Sequence, residues 1–187
     1  MAAGAWLSVE RDALASDRLL DAAGSLFAER GAGAVGMAEI AAAAGCSRAT
    51  VYRYFENRQQ LRVAFVHREA RRLGATIASS AAVAGEPDLA RRLVAAVLAA
   101  VEGVRATPTL AAWFADASAA TASDLAGSSE VIESLTAAFL GDAGDDDTRS
   151  RARWVVRIVV SLLTMPAADA REERELLERY VVPVVLG

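Results

Sequence analysis

The residues best suited to act on another molecule lie between Ser47 and Arg58. Ser47, Arg48, Ala49, Thr50, Tyr52, Tyr54 and Arg58 follow closely on one short stretch. Their chemistry is that of reading a duplex. Arg48 can reach a guanine edge or a phosphate, and the methyl of Ala49 or Thr50 can meet a thymine methyl. Tyr52, Tyr54 and Arg58 suit phosphate contacts, which set register rather than sequence. Nothing comparable exists for making or breaking bonds. The chain has one Cys, Cys46, and one His, His67. It carries no GxGxxG, P-loop, GxSxG or HExxH pattern. The acidic run Asp145–Asp147 lacks the alternating ligands and closing Glu of a calcium loop and reads as a solvent-facing loop plus a helix cap. No enzymatic activity, cofactor or metal is expected.

These residues need a scaffold that locks one face and frees the other. Ile40–Phe55, IAAAAGCSRATVYRYF, supplies it as two short helices around Gly45. Ile40, Ala41, Val51 and Phe55 form the locking face, and Ala44 and Gly45 permit close approach. That is a helix-turn-helix layout. Ser47 caps the expected reading helix, Arg48–Phe55. The preceding helix is expected over Met37–Ala44, with Gly36 as its cap and Glu39 favouring its start. A first helix is expected over Asp17–Glu29, capped by Ser16 and ended at Gly31, after a loose arm of about ten residues. Asn57 caps a long fourth helix that runs to about Ser80 and links the two halves.

Composition narrows the class. Hydrophobic residues make up 54% and charged residues 24% of the 187 residues, which suits a folded globular chain. Ala is abundant and Pro numbers only 4, which favours helix. Net charge is -4, too low for a protein that coats nucleic acid. Its distribution is uneven. Residues 1–72 hold 10 Arg against 8 acidic residues, and residues 73–187 hold 10 Arg against 16. Arg48, Arg53, Arg58 and Arg62 face only Glu56, a local positive footprint that suits a site-specific binder. Every basic residue is Arg, which reads as genome composition. A single Cys suits a reducing cytoplasm. The start has no signal-peptide pattern, and no apolar stretch is long enough to span a membrane.

The segments LLDAAGSLFAERG at Leu19–Gly31, EIAAAAGCS at Glu39–Ser47, RATVYRYF at Arg48–Phe55 and ENRQQL at Glu56–Leu61 occur in an order that resembles TetR-type (TetR/AcrR) transcriptional regulators. The resemblance covers about Leu19–Phe65. It implies an all-α fold: an N-terminal three-helix helix-turn-helix domain, then a helical ligand-binding and dimerisation domain, about nine helices in total. The expected division is 1–57 and 58–187. The resemblance also implies a sequence-specific DNA-binding regulator, usually a repressor released by a small molecule. Two positions depart from the family pattern. Val35, Gly36 and Met37 stand where a Thr or Ser hydroxyl often meets phosphate, so that contact is lost or passes to helix N–H groups. Cys46 stands where a small aliphatic is common, and reads as an apolar filler. His67 reads as structural or surface.

Beyond Phe65 the pattern is helical and apolar. Helices are expected from Pro87 through Val104, from Pro108 to Ala115, over Ser129–Leu140, from Thr148 to about Thr164, and over Ala170–Val182. The Val-rich end, VVPVV, also permits a strand. Trp113 and Phe114 among small residues suggest a ligand cavity, with Glu102, Arg105 and Asp116 as polar candidates to orient an effector. The lack of clustered charge points to a mostly apolar compound. Trp154, Ile158, Leu162 and Met165, with Leu176, Leu177 and Tyr180, form a broad apolar face expected to pair with a second copy. Burial of the same face within one chain is the competing reading. The expected partners are an operator duplex, the chain itself and a small apolar ligand, with no membrane. A helical protein-binding adaptor that has lost DNA binding is the alternative function.

Overall fold

The computed structural model describes the backbone of residues 2–114, 126–127, 129–141 and 144–187, with side chains from residue 12 onward. The described residues form helices and connecting turns, with no strand. They divide into two compact units, Met1–Phe65 and Val66–Gly187.

The first unit holds α1 (Ala2–Arg30), α2 (Met37–Ala43), α3 (Arg48–Tyr54) and the opening turns of α4 (Arg58–Ser79). α1 starts well before the expected Ser16 cap. No Pro interrupts the Ala-rich start, so Ser16 lies inside a continuous helix. Gly31 ends it at φ 78°, its amide donating to the Phe27 carbonyl at 2.9 Å. Leu19, Leu20, Ala23 and Phe27 are buried with Val35, Ile40, Ala41, Val51, Leu61 and Phe65. The Phe27 and Phe65 rings meet edge to face at 5.3 Å.

The break between units falls inside α4, not between residues 57 and 58. The start of α4 is tied to the first unit by Leu61 and Phe65 in the core and by two Arg side chains. Arg58 Nη1 donates to the Gly33 carbonyl at 3.2 Å, and Arg62 Nη2 donates to that of Ala32. Arg62, counted above in the positive footprint, is only 7% exposed. Burial, and secondarily Arg58, lowers its pKa. It is a buried clamp on the 32–33 turn rather than a surface cation.

The second unit continues along α4 and adds α5 (Ala81–Ala84), α6 (Leu89–Ala106), α7 (Pro108–Phe114), α8 (Glu130–Leu140), α9 (Asp146–Thr164) and α10 (Ala170–Leu176). A π-helical turn, Leu177–Val181, leads into α11 (Val182–Leu186). Side-chain caps define most starts. Asp88, not Pro87, opens α6, its carboxylate accepting the Arg91 amide at 2.8 Å. Ser129 opens α8, and Asp145 opens α9 in place of Thr148. Thr107 precedes Pro108 but turns its hydroxyl back to the Gly103 carbonyl at 2.7 Å, so it does not cap α7. Pro183 does not stop the last helix. It sits in the first turn of α11, where its missing N–H matters least, and the preceding turn widens, the Val182 amide reaching the Leu177 carbonyl. The VVPVV end is therefore helix.

α6 threads the core of this unit: Leu93, Val94, Val97 and Val101 pack with Val155, Leu162, Leu177, Val181 and Val185. Gly103 lets α6 approach α4 closely. A Cβ there would lie 2.5 Å from Leu73 Cδ1.

Candidate nucleic-acid interface and ligand cavity

The reading element is built from its turn. Gly45, at φ 67°, takes the left-handed conformation, and the Cys46 amide closes back on the Ala41 carbonyl at 2.9 Å. Ser47 then caps α3, its hydroxyl accepting the Thr50 amide at 3.1 Å and pairing with the Thr50 hydroxyl at 2.9 Å. Val51 is fully buried and Phe55 nearly so, as are Ile40 and Ala41 of α2. That fixes the opposite face. Arg48, Ala49, Tyr52 and Arg53 are exposed at helical spacing, with Ser47 exposed at the N-terminal end. Thr50 and Tyr54 are half-buried.

Two expected contacts have internal partners. The Tyr54 hydroxyl donates to Asp12 Oδ1 at 2.9 Å and receives Arg53 Nη2 at 2.8 Å. Arg53 also stacks over the Tyr54 ring, 4.8 Å from its centroid. Tyr54 therefore braces Arg53 rather than offering a free hydroxyl. Arg58 remains exposed while holding the Gly33 carbonyl. Arg53, counted in the positive footprint but not among the residues expected on the duplex, is exposed beside them. Its place five residues after Arg48 and four after Ala49 was the available signal.

The start of α2 is occupied from within the chain. Glu39 Oε2 accepts the Gly36 amide at 2.8 Å, and Oε1 pairs with Arg30 at 2.6 Å. The Gly36 hydrogen bond, then Arg30, hold the Glu39 carboxyl below its ordinary pKa. Gly36 has no side chain to complete a capping box, so only the reciprocal half is made. This carboxylate competes with any phosphate approaching those amides.

The second unit contains a cavity of about 760 Å³ between α4, α6, α7, α8 and α9. Trp113 and Phe114 line it as expected, with Leu73, Val97, Leu135, Phe139 and Val159 among the apolar walls. Glu102 and Arg105 do not. Glu102 points to solvent. Arg105 pairs with the buried carboxylate of Glu173 at 2.7 Å and donates to the Leu162 carbonyl at 2.9 Å, a tie between helices. Asp116 lies outside the described residues. The polar lining comes instead from Arg71, Arg92 and Thr136. The legible signal was Arg92 in line with Ala96 and Ala100 at four-residue steps.

The expected dimer face is split. Leu162 and Leu177 are core residues of their own chain, 6% and 2% exposed, and Ile158 packs against the same core. Trp154, Met165, Leu176, Tyr180 and Val184 remain exposed, Met165 at 72% and Val184 at 63%. No single described helix is long and apolar enough to cross a membrane.

A capped helix with exposed arginines, locked by a glycine turn to a second short helix, and followed along one continuous helix by a cavity-bearing helical unit, is the layout of a helix-turn-helix transcriptional regulator. The profile of the family described as bacterial regulatory proteins, tetR family, matches residues 19–65. The HTH-type transcriptional regulator Rv1255c of Mycobacterium tuberculosis (strain ATCC 25618 / H37Rv) is 50% identical over 188 residues, covering 99% of this chain and 92% of that protein. The chain belongs to the TetR family of helix-turn-helix transcriptional regulators. Solved structures share its fold. A TetR-family regulator from Streptomyces coelicolor superposes with TM-score 0.67 at 25% identity, covering 92% of this chain and 99% of that one. RolR in complex with resorcinol gives TM-score 0.72 at 18% identity, covering 95% and 90%.

Proposed function

We propose that this regulator is a homodimeric repressor that holds a palindromic operator and releases it when a small, mostly apolar effector fills the cavity of the second unit. The carrying observation is the cavity itself: about 760 Å³, almost wholly apolar, on the Val66–Ser79 part of α4. The same helix begins in the reading unit, where Arg58, Arg62 and Phe65 hold it. An effector that favours one position of Val66–Ser79 would bias the reading unit through this helix. RolR, similar in fold, is described with bound resorcinol, which supports a small-molecule role for such a cavity. The exposed Trp154, Met165, Leu176, Tyr180 and Val184 support pairing of two copies.

Ser47, Arg48, Ala49 and Thr50 are assigned to the major groove, with Tyr52, Arg53 and Arg58 at the phosphates and Tyr54 behind Arg53. Two recognition helices related by a two-fold axis read half-sites about one helical turn, or a multiple, apart. Selection of genomic fragments at moderate salt tests this. The expected result is one enriched palindrome. Fragments with no shared motif would overturn it in favour of a protein-binding adaptor.

A further inference from the structure

The cavity contains a charge that its apolar walls do not explain. Its lining includes two cations, Arg71 and Arg92, one hydroxyl, Thr136, and no carboxylate among the described residues. Arg92 is half-buried, with its guanidinium 5.8 Å from the centroid of the Phe139 ring, itself part of the wall. Neither Arg71 nor Arg92 has an ion pair among the described residues, although Arg30, Arg105, Arg149, Arg151, Arg153, Arg171 and Arg174 do. A ring face supplies less to a guanidinium than a charge-assisted hydrogen bond to an anion does, so Arg92 is left to pair with a ligand. Thr136 spends its proton on the Ile132 carbonyl at 2.9 Å, leaving its oxygen as an acceptor. The rest of the lining is aliphatic and aromatic, with Leu93, Val97, Trp113, Val155 and Leu163 among it.

We infer that the cavity takes an amphipathic ligand with an apolar body and one anionic end, the anion seated on Arg92, with Arg71 the second cation of the lining. The guanidinium fork matches the oxygens of a carboxylate or a phosphate monoester. The volume suits an apolar body of drug size. The inference rests on the reading of this cavity as the effector site, and it names the class of effector.

Calorimetric titration of the full chain with dodecanoate, dodecyl phosphate and dodecan-1-ol, each below its micelle concentration, tests it. One or both anions are expected to bind at least about tenfold tighter than the alcohol. Their relative affinity tells carboxylate from phosphate. In Arg92→Met the preference for the anion should collapse, in Arg92→Lys it should partly return, and in Arg157→Met, on exposed surface outside the cavity, it should persist. The comparison of anion and alcohol needs no variant, so a poorly folding Arg92→Met leaves the test intact. Equal binding of alcohol and anions, or no binding of any of the three, would overturn the inference. Equal binding with operator release would leave the apolar-effector reading standing. Anion-selective binding with no effect on operator would uphold the ligand class and defeat the regulatory reading.

Discussion

At the residue scale, α3 sorts its arginines by what they touch. Arg48 is exposed near the capped end, where a side chain can meet a base edge. Arg53 is aimed by the Tyr54 ring and by the Tyr54–Asp12 hydrogen bond. Arg48→Ala is expected to cost about 1–3 kcal/mol of operator binding and to relax base preference at one position. Arg53→Ala is expected to weaken binding to all sequences and lower the salt slope by about 0.9, as loss of one phosphate contact requires. Binding assays over a salt series with matched and scrambled operators separate the two. An Arg53→Ala slope equal to that of the unaltered protein would show that Arg53 leaves the backbone untouched. Tyr54→Phe should weaken binding less than Arg53→Ala, because it loosens an arginine rather than removing it. Arg62 belongs to a different class. Arg62→Ala is expected to lower stability by about 1–3 kcal/mol in a thermal or urea melt, by removing the hydrogen bond to the Ala32 carbonyl and the buried side chain.

At the element scale, the reader was legible because its signals are local. Gly31, Gly45, Ser47 and the apolar spacing Ile40, Ala41, Val51, Phe55 each state a turn, a cap or a buried position without reference to distant residues. The second unit was less legible. Leu162 and Leu177 are large apolar residues on the same helical stretches as Trp154 and Leu176, but packing between helices decides which pair is core and which stays exposed. The fate of Arg105 likewise depended on Glu173, sixty-eight positions away. The caps give a pH prediction. Asp145 accepts the Thr148 amide at 2.8 Å, and this hydrogen bond, then the Thr148 hydroxyl, depress its pKa below the ordinary 3.8. A depressed carboxylate contributes stability above its unfolded pKa and loses it as pH falls through the folded value. Asn caps about as well as Asp but does not titrate. Melting temperatures of the unaltered chain and Asp145→Asn should therefore differ near neutrality and converge as pH falls below 3.8. A gap that stays constant to lower pH would show that the carboxylate charge contributes nothing at the start of α9.

At the scale of the whole molecule, the proposed regulation needs two copies and one linkage. Trp154, Met165 and Tyr180 leave apolar area that a monomer would expose to water. Trp154→Glu and Tyr180→Glu place charges there while leaving the Leu162 and Leu177 core intact, so they should yield folded monomers in sedimentation at micromolar concentration. A dimer unaffected by both would move the interface elsewhere. The linkage is the central claim: occupation of the cavity and grip on the operator oppose each other through α4. The most direct measurement determines operator affinity with the cavity empty and with it saturated, and ligand affinity with and without saturating operator. Each partner is expected to weaken the other by one common factor of about 5–150, a coupling of about 1–3 kcal/mol. A ligand that fills the cavity tightly, yet binds equally well whether or not the operator is saturating, would contradict it.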